Sequence, residues 1–446
     1  MRNFWVALAG TFAVAAFAPG AYAFHNGGVA RCESCHTMHN SSGGKVMNKK
    51  FPLYQAGPYL LIATDQSSTC LSCHESANSG ATGAETYAVS TPAGTAIPAQ
   101  YGAGGDFAWL RITWPGFSEL GERHGHNIVA ADFSYLPDAT LTVAPGGTYP
   151  AAALGCQSCH DPHGKYRRLA DGTFATSGAP ITDSGSYGDS PDPTATEAVG
   201  AYRLLAGKGY QPKSLAGNFG FNVDPPVVVN GVEDELSWNR PENTTYGQQH
   251  VVYGQGMSEF CANCHTQILE ESYTSGMKGL RHPAGNNAKL TGPIANIYND
   301  YVTSGIVANL TYNYSSLVPF EQGTNNYGYL KATATANFVG GTTGQFTAPL
   351  QVTADATKNV MCLSCHRAHA SAFPSMTRFY IGYQFMTITN PTTQALIFTG
   401  PHSGRDATYV DLWASQPQAQ AAYYGRTPDQ FANWARVQCN KCHGKD

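Results

Sequence analysis

The sequence is poor in charge, and this limits the partners that it can bind. Only 13% of its 446 residues are charged, with 26 Lys and Arg against 30 Asp and Glu. A formal net charge of −4 provides no basic surface that would attract a nucleic-acid backbone. Beyond the amino-terminal region there is also no run of about 18 apolar residues, so we expect no membrane-spanning helix in the rest of the chain.

The amino terminus has the pattern of a secretory signal peptide. A positive charge at Arg2 precedes an apolar run that starts at Phe4, and the small residues Ala21 and Ala23 follow it. We therefore predict that residues 1–23 form a signal peptide and that residues 24–446 form one exported, elongated domain. Because 48 Gly and 26 Pro interrupt the chain, we expect mainly coil, with short helices and very little strand.

No cysteine stands outside one repeated pattern. All twelve belong to six Cys-x-x-Cys-His motifs, numbered here 1 to 6 in chain order, which stand at unequal intervals. The cysteines are Cys32 and Cys35, Cys70 and Cys73, Cys156 and Cys159, Cys261 and Cys264, Cys362 and Cys365, and Cys439 and Cys442, and the histidines that follow them are His36, His74, His160, His265, His366 and His443.

This pattern is typical of covalent c-type haem attachment. Two thiols on one helical turn can bond to the two vinyl groups of a porphyrin, and the adjacent histidine can bind the iron. Zinc sites and redox-active dithiols also use Cys-x-x-Cys pairs, but neither needs a histidine behind every second cysteine. The sequence therefore predicts six haems and a fold whose order depends on their insertion.

Nine further histidines could supply a second ligand to these six irons, and three of them stand three residues after a motif histidine. Opposite ligands of one iron have α-carbons about 12–16 Å apart, from two bonds of about 2 Å and two imidazole arms. Three extended residues reach only about 10 Å. The histidines in this position therefore cannot serve the iron of their own motif, and we predict that they bind a neighbouring iron; they are His39, His163 and His369.

Longer stretches in the chain resemble the family of outer-surface hexahaem cytochromes that polymerise into extracellular filaments. The resemblance extends over nearly the whole mature chain, but the segments at about 222–250 and 388–410 depart from the family pattern and contain no cysteine. The stretches that carry it include GGVARCESCHTMHNS, APGGTYP, CHDPHGKYRR, GYQPKSL, LRHPAGN, CLSCHRAHAS and AAYYGRT.

The resemblance implies six haems with histidine on both faces, stacked in alternating parallel and T-shaped pairs. It implies that His39 binds the haem at Cys362 and Cys365, with His366, of the next subunit. It also selects six second ligands, His25, His39, His126, His163, His282 and His369, and assigns no such role to His124, His250 and His402. We interpret these last three as surface histidines.

We therefore expect a secreted electron-transfer protein without catalytic residues. In this hypothesis it polymerises head to tail and conducts electrons from outer-membrane cytochromes to external acceptors such as Fe(III) oxides. The alternatives are a monomeric periplasmic or outer-membrane shuttle and, less in keeping with six unaltered motifs, a multihaem reductase with one reactive haem.

Overall fold

The computed structural model confirms a chain built mainly of coil, with short helices and little strand. The helices are α1 (Cys32–Cys35), α2 (Gln66–His74), α3 (Met257–Cys261), α4 (Gly292–Ser304), α5 (Tyr327–Ala336), α6 (Cys362–Cys365) and α7 (Gln416–Ala422). The structure describes residues 32–42, 45–46, 56–75, 88–94, 98, 104–112, 124–175, 179–180, 192–201, 204–215, 219–230, 251–269, 284–304, 318–336, 355–381, 384–399, 416–423, 425, 427–431, 433–436 and 438–443.

Within the described residues, the strands form four small sheets. The largest has the order β4-β3-β6-β5, in which only β5 and β6 pair in parallel, and the other three sheets are antiparallel pairs of consecutive strands. The strands are β1 (Ser41–Ser42), β2 (Lys45–Val46), β3 (Arg167–Arg168), β4 (Phe174–Ala175), β5 (Ala179–Pro180), β6 (Glu197–Gly200), β7 (Val228–Asn230), β8 (Val251–Tyr253), β9 (Thr387–Thr389) and β10 (Leu396–Phe398).

Short 3-10 turns make up most of the remaining helical structure. They are too short to bury a continuous apolar face of their own. Two of them, at Cys156–Ser158 and Gln438–Lys441, hold motifs 3 and 6; the others are Pro58–Leu60, Phe107–Arg111, Ala131–Phe133, Ala151–Ala153, Lys213–Leu215, Thr266–Ile268, Pro374–Met376 and Pro428–Gln430.

Helix α2 contains motif 2 and begins with an N-cap residue that the sequence supplies. Asp65 is the N-cap, and its carboxylate accepts hydrogen bonds from the backbone N–H of Ser68, at 2.7 Å, and from the Ser68 hydroxyl, at 2.8 Å. This cap satisfies a donor that the first helical turn would otherwise leave unpaired. The helix then continues through Cys70 and Cys73 to His74. Among the described residues no helix is both long and apolar enough to cross a membrane.

Aromatic side chains form much of the protein interior. Tyr423 stacks on Phe398 with ring centroids 4.0 Å apart, and Phe431 and Phe373 pack against Tyr423 at 5.8 and 5.1 Å. All four side chains are fully buried. Aromatic contacts of this kind add to the free energy gained by removing apolar surface from water.

A buried carboxylate, Asp106, ties two coil segments together. It accepts hydrogen bonds from the Thr91 backbone N–H at 3.0 Å, from the Thr91 hydroxyl at 2.6 Å and from the Ala108 N–H at 2.8 Å. Both Asp106 and Thr91 are buried, so water cannot replace the carboxylate if it is removed.

We predict that Asp106→Ala lowers the free energy of unfolding by about 3 kcal/mol, because it leaves buried donors without an acceptor. Chemical denaturation of the haem-loaded protein measures the change. The control is Asp171→Ala, which removes an exposed carboxylate bonded to the Thr173 N–H at 2.7 Å and should change stability by less than about 0.5 kcal/mol. Equal losses in the two variants would contradict the structural role of Asp106.

Candidate haem-binding sites

All six motifs adopt a helical turn, as the spacing predicts. In each motif outside α2 the histidine N–H donates a hydrogen bond to the carbonyl oxygen of the first cysteine, at 2.8–3.1 Å. Two thiols three residues apart on such a turn point to the same side, as attachment to one porphyrin requires. The five bonds join His36 to Cys32, His160 to Cys156, His265 to Cys261, His366 to Cys362 and His443 to Cys439.

Backbone carbonyl groups fix the tautomer of several motif histidines. The Nδ1 atom of His36 lies 3.1 Å from the Tyr59 oxygen, that of His265 lies 2.7 Å from the Pro145 oxygen, and that of His366 lies 2.8 Å from the Ser375 oxygen. A carbonyl can only accept, so Nδ1 carries the proton in each ring. The Nε2 lone pair is thereby left available for a metal, which is the usual arrangement behind a ligating histidine.

Three motif histidines face a second imidazole at the separation that one iron requires. The ring centroids are 6.4 Å apart for His36 and His163, 6.4 Å for His160 and His369, and 6.1 Å for His265 and His126. Two iron–nitrogen bonds of about 2 Å plus the distance from each nitrogen to its ring centre add up to roughly 6 Å. The residues present therefore fit a bis-histidine iron at motifs 1, 3 and 4.

Burial favours the neutral form of three described histidines, His126, His265 and His366. It lowers the pKa of His126 to about 4, helped by the neighbouring His265, and it lowers the pKa of His265 and His366 from their usual value. A neutral imidazole is the form that binds a metal.

These pairs follow a regular progression along the chain. The ring opposite the motif 1 histidine is His163, three residues after motif 3, and the ring opposite the motif 3 histidine is His369, three residues after motif 5. Motifs 1 and 3 thus each face an imidazole from the peptide of the next odd-numbered motif. The short span of three residues showed only that such a histidine cannot bind the iron of its own motif. It did not show which other iron the histidine would face.

The thiols place the six motifs in a series that follows chain order. Cys70 hydrogen-bonds with Cys156, and Cys261 with Cys362, which joins motif 2 to 3 and motif 4 to 5. Burial raises the pKa of three further thiols, and for each the next largest contribution is a thiol of the adjacent motif: Cys73 acts on Cys35, Cys159 on Cys264, and Cys439 on Cys365. Every motif is therefore close to the one before it and the one after it.

Motifs 1, 3 and 5 share a backbone feature that we call the clasp. In each clasp the motif histidine forms a β-bridge with a distant segment, and that segment accepts a hydrogen bond from the residue after the histidine and donates one to the second cysteine's carbonyl. The segments are 60–62, 204–206 and 376–378. Their first residues, Leu60, Leu204 and Met376, all have left-handed backbone, with φ of 60°, 54° and 48°.

The imidazoles that face the histidines of motifs 3 and 4, His369 and His126, lie on hydrogen-bonded peptides. The His126 N–H donates to the His369 carbonyl oxygen at 2.8 Å, and the His369 N–H donates to the Gly104 oxygen at 2.7 Å. Glycine is required at both contacts, because a Cβ at Gly104 or Gly125 would come closer than 3.0 Å to His369 atoms.

The interpretation of His124 as a surface histidine is wrong. It is buried, and its Nδ1 atom lies 3.2 Å from the Ser371 oxygen in the segment that follows His369. The sequence alone could not show this, because the two residues are 247 positions apart. His250 and His402 lie outside the described residues, as do the predicted ligands His25 and His282 and the predicted signal peptide.

The basic segment Lys165–Arg168, which follows motif 3, is not wholly exposed to solvent. Arg168 is buried, donates to the Gly172 oxygen at 2.9 Å and to the Pro225 oxygen, and stacks over the Phe174 ring at 4.5 Å. It therefore supports the sheet that contains β3 and β4.

The alternatives to haem gain no support from the described part of the chain. All twelve cysteines are free of disulfide bonds, and within the described residues no group of three or more His, Cys, Asp or Glu side chains is arranged to hold a metal ion by itself. Each assignment of a residue as a haem or iron ligand stays a prediction, and the positions of these residues agree with haem attachment.

We predict that Gly125→Ala disturbs iron ligation at motifs 3 and 4 together. The new methyl group would collide with the His369 carbonyl oxygen and with the Ala370 side chain, and so displace the peptide that holds His126. Absorption spectra of the loaded protein should show new high-spin haem at unchanged haem content. The matched control is Gly220→Ala, whose Cβ would have no neighbour closer than 3.8 Å. A spectrum of Gly125→Ala identical to that of the parent would contradict this coupling.

The comparisons with known proteins agree with this geometry. No family model matches the chain. The chain is 52% identical over 441 residues to the C-type cytochrome OmcS of Geobacter sulfurreducens, covering 96% of each protein. Two solved structures, described as OmcS nanowires and as an outer membrane cytochrome S filament of the same organism, each match 95% of this chain and 100% of theirs, with a TM-score of 0.76 and 48% identity. The chain therefore belongs to the OmcS family of c-type cytochromes.

Proposed function

We propose that the protein is an extracellular hexahaem c-type cytochrome that transfers electrons as part of a filament. The observation that carries this proposal is the set of opposed histidines at motifs 1, 3 and 4, in a chain with six unaltered motifs. The haem supplies an iron that exchanges single electrons, and the chain holds it between two imidazoles. The family relationship to a cytochrome solved as a filament supports the same conclusion.

Closed coordination favours electron transfer over catalysis. An iron with histidine on both faces has no position left for a substrate. A reductase would be expected to alter at least one motif, for example by replacing the histidine after the second cysteine, and all six motifs retain it. We therefore assign no catalytic residue and no enzymatic activity.

We call the contact between neighbouring subunits of the filament the joint. In this proposal it repeats between two chains the pairing of motif histidines that is seen inside one chain. Motif 1 takes its second imidazole from the peptide of motif 3, and motif 3 takes its own from that of motif 5. Motif 5 needs an equivalent donor, and the remaining histidine of this class is His39, which is exposed beside motif 1. A second copy of the chain would supply it, so that His39 of one subunit binds the iron held by His366 of the next. A head-to-tail contact of this kind produces an open filament when its rotation does not close a ring, and the family has been solved as a filament.

The same proposal assigns the remaining sites and the location. His25 and His282 are left for the irons of motifs 2 and 6. Residues 1–23 act as a signal peptide and residues 24–446 form one domain, secreted to the cell exterior. Upstream outer-membrane cytochromes deliver electrons, and external acceptors such as Fe(III) oxides receive them. A monomeric shuttle is the competing assignment.

We predict that His39→Ala abolishes filaments while leaving six covalent haems. It removes the ligand that crosses the joint, so one iron in six becomes high-spin, and added imidazole should restore the spectrum without restoring filaments. The control is His163→Ala, which removes the ring opposite His36 inside one chain and should also open one position but leave filaments intact. Electron microscopy and absorption spectra measure both effects. Normal filaments from His39→Ala would rule out this joint.

The electron-transfer role is tested on the secreted protein itself. We expect filaments that contain six low-spin haems per chain and that carry current between electrodes and reduce ferric oxide on contact. A secreted fraction that stays monomeric would instead favour the shuttle. A stable high-spin sixth haem that turns over a small substrate such as nitrite would favour the reductase.

A further inference from the structure

The three opposed histidine pairs share a separation but differ in orientation. At motif 1 the ring planes of His36 and His163 make an angle of 8°, and at motif 4 the two planes make an angle of 29°. At motif 3 the planes of His160 and His369 cross at 61°. Motif 3 therefore differs from the other two pairs in the twist between its imidazoles, although the centroids are 6.4 Å apart at motifs 1 and 3 alike.

The plane of the His369 ring is held by packing on Phe107. The two rings are stacked, with centroids 4.6 Å apart and an angle of 20° between the planes. The imidazole also meets the backbone of Gly104, where a Cβ would lie 2.6 Å from the Nδ1 atom. Turning His369 until it lay parallel to His160 would break the stack and drive an edge of the imidazole towards Phe107. The crossed angle at motif 3 is thus imposed by the neighbours of the second imidazole.

Phe107 can hold another ring in place because its own position is fixed. Its side chain is only 3% exposed, and its N–H donates a hydrogen bond to the Val89 oxygen at 3.0 Å. It begins a 3-10 turn whose N-cap is the buried Asp106. The ring of Tyr135 packs edge-on against it, with centroids 6.1 Å apart. A buried ring fixed from several sides is a rigid support for the imidazole stacked on it.

The angle between two imidazoles on one iron changes the electronic state of that iron. Parallel rings interact with the same iron d orbital and separate it in energy from its partner, which stabilises the ferric state. Crossed rings interact with one orbital each, so the two orbitals stay close in energy and the ferric state is stabilised less. Crossed rings therefore give a higher reduction potential and a more anisotropic electron paramagnetic resonance (EPR) signal. Residues that orient the ligands are one means by which a protein tunes a metal.

We propose that Phe107 is a positioning residue for electron transfer, which holds the His369 imidazole across that of His160 and so raises the reduction potential of the iron at motif 3. The inference rests on the proposed function, in which these two histidines bind that iron. Phe107 acts through His369 and needs no contact with the haem. The six motifs then hold irons of unlike potential even where the pair of ligand types is the same.

The variant Phe107→Leu tests this role. Leucine fills most of the apolar space but has no flat face, so the His369 ring is released from its crossed position. EPR spectra recorded along a potentiometric titration of the haem-loaded protein measure the ligand angle and the potential together. We expect signal equivalent to one iron per chain to move from the strongly anisotropic to the rhombic class. The potential of the same iron should fall, with six haems retained and all irons low-spin.

The matched control is Phe398→Leu. Phe398 is a buried ring that stacks on Tyr423, with centroids 4.0 Å apart and an angle of 14°, so its loss removes a stack of the same kind from a residue that binds no iron. This control should keep the parent spectrum and potentials even where stability falls. Phe107→Tyr keeps the flat face and should also keep the parent signal.

A change on a different residue gives an independent test of the same ring. Gly104→Ala leaves Phe107 in place but brings a methyl group against His369, and it should shift the same EPR signal. Parent spectra and potentials in Phe107→Leu would overturn the proposal, as would an equal change in Phe398→Leu. If Phe107→Leu does not load six haems, Gly104→Ala decides, and an unchanged signal there overturns the proposal.

The variant His369→Ala separates this inference from the function on which it rests. It should open one position and make one iron in six high-spin. An entirely low-spin spectrum would remove His369 as a ligand, and with it both this inference and that part of the proposed function. High-spin iron in His369→Ala together with an unchanged signal in Phe107→Leu would remove only the role of Phe107.

Discussion

The limited reach of three residues is the constraint on which the arrangement of this protein depends. A histidine held by motif geometry on one iron leaves the histidine three positions later too close to bind that same iron from the other side. If the second histidine binds, it must bind a different iron, and the two irons then lie within a few residues of each other. Motifs 1, 3 and 5 repeat this condition, and the opposed rings of His36 and His163 and of His160 and His369 satisfy it inside one chain.

The scarcity of regular secondary structure follows from the same organisation. Six motifs distributed along the chain fix it at six places, each with one helical turn, and motifs 1, 3 and 5 add a bridging segment. The clasps at 60–62, 204–206 and 376–378 are therefore made of coil with left-handed residues instead of long strands or helices. Apolar helix faces are not required where large flat cofactors and clustered aromatic rings supply the interior.

The sequence alone was enough to predict the haem-attachment motifs and the coil-rich fold class. It was also enough to show that His39, His163 and His369 cannot bind the irons of their own motifs. These depend on spacing within a few residues, which is visible in a linear sequence. The identity of each opposing ring was beyond it, because His126 and His265 meet across 139 positions of chain. The burial of His124 and the clasp shared by three motifs could not be predicted from the sequence either, because both depend on contacts between residues far apart in the chain. Left-handed backbone at leucine and methionine has no signature in residue type, since glycine is the residue that normally marks it.

The hydrogen bond from His126 to His369 has a consequence for the rate of electron transfer. It joins the peptides that carry the second imidazoles proposed for two neighbouring irons, and the His369 N–H is held in turn by the Gly104 carbonyl oxygen. Ligands fixed in this way move little when an iron changes its charge, so the surroundings need little rearrangement at each step. A low reorganisation energy between motifs 3 and 4 would let electrons cross this part of the chain with only a small difference in potential to drive them.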